Sequence, residues 1–176
     1  HASTPMYRAL EPVAVCELLK LNPLLESQLG PYRYRIERKG DQSIYSVTDG
    51  KETLSYPIAY AFGLGAAGQT YIYEHQGNLY ESRMSYYKKF DGLGVTIGAP
   101  PGLPKTLQEA AGRLMTKRDQ AGCFGCHTVN AVQNDVIKLD GLIPGVQCEN
   151  CHGSAKAHIE GFKDKLVSMP KLGRQT

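Results

Sequence analysis

Between residues 31 and 90, apolar and polar positions alternate with a period of two. Tyr32, Tyr34 and Ile36 are interleaved with Arg33, Arg35 and Glu37, the pattern of a strand with one buried face. Lys39-Gly40-Asp41 predicts a turn, residues 44–48 a second strand, and Asp49-Gly50 a hairpin connection. Residues 53–62 predict a third strand, in which Pro57 marks an edge or a bulge. A second hairpin is predicted from residues 69–74 and 78–87 across Gln76-Gly77. Most of the 11 tyrosines fall in this region, and the pattern has them packing across strands with their hydroxyls at the surface.

Outside that region the period lengthens. Residues 11–25 carry Val15, Leu18, Leu19 and Leu25 at helix-like intervals, with Pro12 near the start and Pro23 breaking the pattern. Gly30-Pro31 ends the segment. Residues 90–104 hold Gly92, Gly94, Gly98, Pro100, Pro101, Gly102 and Pro104, the composition of a linker. Thr106-Leu107-Gln108-Glu109 is a capping-box sequence that predicts a helix over 107–115, and residues 116–119 predict a second short turn. Leu139, Leu142, Ile143 and Pro144-Gly145 read as a connecting loop with a small apolar plug. Ala155, Ile159, Phe162 and Leu166 mark one face of a helix that stops before Pro170. The expected organisation is a helical arm over 1–30, an antiparallel β region with its Gly/Pro linker over 31–104, and a site-bearing region with a C-terminal helix over 105–176. The expected fold class is α+β, with a β-hairpin layer packed beside a helix-poor region.

A chain of 176 residues with 41% hydrophobic content suits one domain with a real core. No apolar run is long enough to span a bilayer. The chain starts at His1 without a signal peptide, which reads as a processed or trimmed mature chain.

The chemistry concentrates in two pentapeptides, Cys123-Phe124-Gly125-Cys126-His127 and Cys148-Glu149-Asn150-Cys151-His152. Both are Cys-x-x-Cys-His, the attachment motif of c-type haem. Two thiols separated by two residues reach the same porphyrin edge as thioethers, and the adjacent His binds iron from one face. Three other readings compete: a zinc ribbon built from Cys123, Cys126, Cys148 and Cys151, two disulfides, or a redox dithiol. None of them needs a His directly after both pairs. Two covalently attached haems c are therefore expected. Their four propionates would take the formal charge from +3 to about −1, which removes any case for nucleic-acid binding from basic charge. Covalent haem attachment outside the bacterial cytoplasm places the expected location in the periplasm or outside the cell. Some tyrosines would then line a haem edge.

His127 and His152 are the proximal ligands by motif. Six-coordinate irons need two more, and His1, His75 and His158 remain. His158 follows His152 too closely to reach round the same ring, so it is expected to serve the haem of Cys123 and Cys126. His1 or His75 is left for the haem of Cys148 and Cys151, in the same chain or from a neighbour, with Met6, Met84 and Met115 as weaker options. Cys16 has no Cys-x-x partner and reads as a buried small hydrophobe, or alternatively as an intermolecular disulfide. Gly63-Leu64-Gly65-Ala66-Ala67-Gly68 matches G-x-G-x-x-G, but β-patterned residues follow where a helix should begin, so it reads as a turn and not a dinucleotide site.

The stretch Gly122-Cys-Phe-Gly-Cys-His-Thr128, with Gly145-Val-Gln-Cys-Glu-Asn-Cys-His-Gly153 and His158, resembles secreted bacterial multihaem c-type cytochromes. It is similar to the tetrahaem carriers of ammonia oxidation and more distantly to hydroxylamine oxidoreductase. Residues 68–73 and 79–87 resemble the β insert of an environmental branch of that family. The resemblance implies that the counterpart of His158 is an axial ligand to a neighbouring haem. It also implies that His1-Ala-Ser-Thr-Pro-Met6 follows an upstream haem motif whose His is a distal ligand, which favours His1 over His75. Here the upstream motif is missing, and the usual Gly-Pro-Gly after the second motif is Gly153-Ser154-Ala155.

The function expected is electron transfer through two close, bis-His-ligated haems, with redox proteins as partners. A neighbour's His on a haem would extend this to a homo-oligomer or a conducting filament. The alternatives are a haem enzyme with one open iron, acting on peroxide, nitrite or hydroxylamine, and a zinc-ribbon binding module.

Overall fold

Residues 32–36 fold as their alternation predicts. The structure, a computed structural model, describes residues 8–129, 131–133, 136–139 and 142–145. Its elements in chain order are β1 (Leu10–Pro12), a 3₁₀ turn (Val13–Val15), α1 (Glu17–Leu21), β2 (Leu24–Leu29), β3 (Tyr32–Lys39), β4 (Gln42–Thr48) and β5 (Thr53–Phe62). There follow β6 (Thr70–His75), β7 (Asn78–Ser82), β8 (Met84–Tyr87), β9 (Gly92–Val95), α2 (Leu107–Ala111), β10 (Gly112–Leu114) and α3 (Lys117–His127). Four two-residue strands end the described chain: β11 (Thr128–Val129), β12 (Val132–Gln133), β13 (Val136–Ile137) and β14 (Ile143–Pro144).

The α+β expectation of a hairpin layer beside a separate site-bearing region is corrected. Of the described residues, 48% are in strands and 18% in helices; eight strands form one curled antiparallel half-barrel, and the other six form three two-stranded sheets, β8-β9, β11-β14 and β12-β13. The strand order of the half-barrel is β10-β7-β6-β5-β4-β3-β2, with β1 paired to β5. The sheet recruits strands from both flanks of the predicted β region. Residues 24–29, placed by their sequence in the N-terminal helical arm beyond the break at Pro23, alternate in burial and pair with β3 across Gly30-Pro31. After Pro23 the chain has no turn of helix left to extend. At the other end α2 stops at Ala111, not at residue 115. Its cap is half of the predicted box: Thr106 Oγ1 accepts from Glu109 N, but Glu109 Oε2 accepts from Lys105 N. Residues 112–114 then add β10 to the edge at β7. A Cβ on Gly112 would stand 2.1 Å from the Glu81 carbonyl oxygen, so only glycine lets this strand close on its neighbour.

The hairpin signals place the turns correctly. Gln76 and Gly77 both take positive φ (52° and 73°) between β6 and β7, as a two-residue hairpin requires. Asp49 Oδ1 accepts from the amides of Lys51 and Glu52 in the β4–β5 turn. The stretch predicted as a linker contains β9, which pairs with β8.

Apolar residues cover two faces of this sheet. The larger core carries Tyr32, Tyr34, Ile36, Tyr45, Val47, Ile58, Tyr71 and Tyr73, closed by Cys16, Leu19, Met84, Leu93 and Ala110. A second core on the opposite face carries Leu10, Ile72, Leu79, Met115 and Phe124, flanked by Tyr60 and Phe62. The two are separated by a register shift in β5. Ile58 pairs with Tyr73 but Tyr60 pairs with Ile72, leaving Ala59 as an extra residue. Cross-strand partners share a face. The shift therefore turns Tyr60 and Phe62 to the face opposite Tyr56 and Ile58, although all four are two residues apart.

The tyrosines pack across strands as predicted, but their hydroxyls do not all reach the surface. Tyr73 stacks between Tyr56 (4.4 Å, 11°) and Tyr80 (5.4 Å, 10°). The hydroxyls of Tyr34, Tyr45 and Tyr71 lie inside the protein. Burial pushes the Tyr34 phenol up to about 12, and those of Tyr45 and Tyr71 well above the usual value. Above pH 10.0, the ordinary tyrosine value, the unfolded chain releases protons that the folded chain retains. The unfolded state then binds fewer protons, and stability falls as pH rises toward about 12. Ring-carbon NMR of labelled tyrosine should show these phenols still neutral at about pH 11 while exposed ones ionise, with the urea midpoint falling over the same range. Uniform titration near pH 10 with a constant midpoint would contradict this burial.

Candidate functional site

The first Cys-x-x-Cys-His forms the last turns of α3. The helix starts at Thr116 with a complete capping box: Thr116 Oγ1 accepts from Asp119 N (3.1 Å) and Asp119 Oδ2 accepts from Thr116 N (2.9 Å). Sequence reading placed only a short turn here. Arg113 on β10 donates to Asp119 Oδ2 (3.0 Å) and to Glu81 Oε2 on β7 (2.7 Å), tying the helix start to the sheet edge. At the other end Thr128 closes the helix, its amide donating to the Phe124 carbonyl.

Phe124, an unspecified position of the motif, is fully buried. Its ring meets Tyr60 and Phe62 edge-on, each at 5.1 Å. These are the residues that the register shift in β5 turns to this face. Such aromatic pairs add about 0.5–1.5 kcal/mol each beyond area burial. At about 100° per residue, Cys126, Cys123 and His127 follow one another around an arc of about 100° on the helix, with Phe124 next to it. The helix can therefore bury Phe124 and still present both thiols and the imidazole on one adjoining face.

His127 is held at two points. Its ring packs edge-on against Phe62 at 5.3 Å, and its Nδ1 lies 2.9 Å from the Ala9 carbonyl oxygen. A carbonyl only accepts, so Nδ1 carries a proton, and in the neutral imidazole that leaves the lone pair on Nε2. That is the tautomer of an imidazole ligating through Nε2, with the second nitrogen held by a backbone acceptor. The same Ala9 oxygen accepts from the Gly63 amide at 2.7 Å. Gly63 has φ +88°, and a Cβ there would stand 2.5 Å from the Gly68 oxygen. The G-x-G-x-x-G stretch is thus a tight β5–β6 connection whose first residue secures the carbonyl that orients His127. Neither Ala9 nor Gly63 carries a side chain that sequence reading could have flagged.

Cys123 is half-buried and Cys126 exposed, and both are free thiols. Burial raises the Cys123 thiol above its ordinary value, and the carboxylates of Glu81 and Asp119 add to this. A redox dithiol needs the opposite shift, toward thiolate. Cys16 is fully buried in the larger core, its Sγ 3.4 Å from Gln69 Oε1, as the buried-hydrophobe reading expects.

His75 ends β6 at the hairpin, edge-on to Tyr56 and Tyr80 at 5.1 and 6.2 Å. Phe62, beside His127, pairs with Thr70 at the opposite end of β6. Five residues of strand separate the two histidines, about 16 Å at the usual rise, so the structure does not bring them together. Cys148, Cys151, His152, His158, His1 and the predicted C-terminal helix lie outside the described residues. Among the described residues no group of three or more His, Cys, Asp or Glu side chains is placed to hold a metal ion. A four-thiolate zinc site would need Cys148 and Cys151.

Residues 104–153 match the family described as cytochrome c554 and c-prime. No curated protein and no solved structure matches the chain. The matched segment runs from just before α2 through both Cys-x-x-Cys-His motifs. It supports a c-type cytochrome with covalently bound haem c. Among the described residues, no helix is long and apolar enough to cross a membrane.

The contacts of Phe124 and Gly63 predict two separable losses. Phe124→Ala should cost about 3–5 kcal/mol in urea denaturation and speed amide exchange in α3. Gly63→Ala should destabilise through its strained φ and its clash, and release the His127 ring from Ala9. A cost below about 1 kcal/mol for Phe124→Ala would show that the helix is not anchored by this residue.

Proposed function

We propose that the protein is an electron-transferring dihaem c-type cytochrome. One haem would be held by Cys123 and Cys126 with His127 on iron, the other by Cys148 and Cys151 with His152. His158 is the proposed second ligand of the first haem. His1 or His75 is proposed for the second, from the same chain or a neighbour, and an inter-subunit ligand would join copies into a homo-oligomer or filament. Redox proteins are the proposed partners, and the periplasm or cell exterior the proposed location.

The observation that supports this best is the His127 ring, with its Nδ1 proton committed to the Ala9 carbonyl and Nε2 left as an acceptor. The donor set fits the group: two free thiols and an Nε2 lone pair adjoin one another on the helix surface. Bound haem supplies one-electron exchange between ferric and ferrous iron. The chain's own residues do the rest. Phe124 fixes the helix to the sheet, Phe62 fixes the plane of the imidazole, and Ala9 fixes its tautomer. A hydrogen bond from Nδ1–H to a backbone carbonyl raises ligand basicity, which favours the ferric state and lowers the potential.

Covalent haem counted by alkaline pyridine spectrum should be two per chain in the intact protein and one in Cys123→Ser/Cys126→Ser. Both haems should be low-spin in the ferric state. One haem per chain would remove the dihaem reading, a stoichiometric zinc content without a Soret band would replace it with the zinc ribbon, and a high-spin ferric signal would favour the open-iron enzyme.

A further inference from the structure

We infer that Glu81, Arg113 and Asp119 act as one charge cluster that lowers the reduction potential of the haem held at Cys123. The inference rests on the haem reading above and goes beyond it by assigning a role to residues outside the motif. Arg113 on β10 stands directly opposite Glu81 on β7 in the sheet register. Its Nε donates to Glu81 Oε2 at 2.7 Å and its Nη1 to Asp119 Oδ2 at 3.0 Å. Asp119 and Cys123 lie four residues apart on α3, which puts them on one face with Cβ atoms about 5–6 Å apart. The cluster therefore sits one helical turn from the thiol that would carry the porphyrin edge.

Two carboxylates share one guanidinium, so the cluster carries one net negative charge. The Glu81 side chain is 13% exposed and that of Arg113 34%, so solvent screens this charge incompletely. Hydrogen bonds from Thr116 and Arg113 hold the Asp119 carboxyl below its ordinary value and keep it ionised. The Cys123 thiol registers the same field: beyond the effect of burial, Glu81 and Asp119 raise it and Arg113 opposes them. Reduction of ferric iron adds one electron, and a fixed negative charge nearby disfavours that addition. The same pairs also tie α3 to the sheet edge. A purely structural tie gives the same sign of effect whichever partner is removed, whereas an electrostatic role gives opposite signs for the acid and the base.

Redox titration of the intact holoprotein at constant pH and ionic strength separates the two roles. Glu81→Gln should raise one haem potential by about 59 mV, a tenfold change in the ferrous-to-ferric ratio at a fixed applied potential. Arg113→Gln should lower the same potential by a similar amount. The double variant Glu81→Gln/Arg113→Gln, which restores the net charge, should return it close to the starting value. Asp119→Asn should act in the direction of Glu81→Gln and serves as the readout if the Glu81 variant does not fold. In a Cys123→Ser/Cys126→Ser background none of these changes should move the remaining potential. Shifts of one sign in every single variant, or unchanged potentials with both haems bound, would overturn the inference and leave the dihaem reading standing. A pyridine count showing no haem at Cys123 and Cys126 would remove both.

Discussion

The extra residue in β5 decides where everything else goes. Tyr56, Ile58, Tyr60 and Phe62 alternate without interruption in sequence, and a regular strand would put all four on one face. The register shift at Ala59 divides them. Tyr56 and Ile58 join the larger core, while Tyr60 and Phe62 create an apolar patch on the opposite face. Without that patch, Phe124 would have no aromatic partners and α3 no seat on the sheet. β1 completes the arrangement by pairing with the same end of β5, Leu10 opposite Phe62. That pairing brings the Ala9 carbonyl within reach of His127.

The consequence is a clip carried by a rigid β scaffold and not by a bundle of helices. Three kinds of interaction converge on it. The Arg113 pairs to Glu81 and Asp119 hold the helix start, Phe124 holds its middle, and the shared Ala9 oxygen holds its end through His127 while accepting from Gly63. The ion pairs are partly exposed and contribute modestly; the buried ring carries most of the anchoring energy. The short backbone network sets orientation more than stability. Such division is expected of a site that must hold one imidazole in one tautomer.

Much of this was legible in the residues. The alternation in β3, the Asp49-Gly50 and Gln76-Gly77 turns, the start of α2, the burial of Cys16 and the haem motif itself were all readable from local pattern. The fold class was not, because the sheet takes strands from segments whose own pattern was short or helical, residues 24–29 and 112–114. Strand pairing supplies what local propensity lacks there. The second core was hidden for a different reason: a bulge residue such as Ala59 leaves no mark in an alternating sequence. The part of the site built from main chain, Ala9 and Gly63, has no side-chain signature at all. The match to cytochrome c554 and c-prime over residues 104–153 covers the clip and leaves nearly all of the scaffold outside it.

The scaffold holds His127 Nδ1 against the Ala9 carbonyl, and the proposed function has that ring protonated on Nδ1 with Nε2 binding iron. Nitrogen-15 NMR of the reduced, diamagnetic holoprotein with labelled histidine tests it directly. The account predicts a His127 Nδ1 proton that exchanges slowly with solvent, together with an Nε2 resonance shifted as an iron ligand, and loss of the slow exchange in Gly63→Ala. A His127 ring protonated on Nε2, or one whose Nδ1 proton exchanges freely, would contradict it.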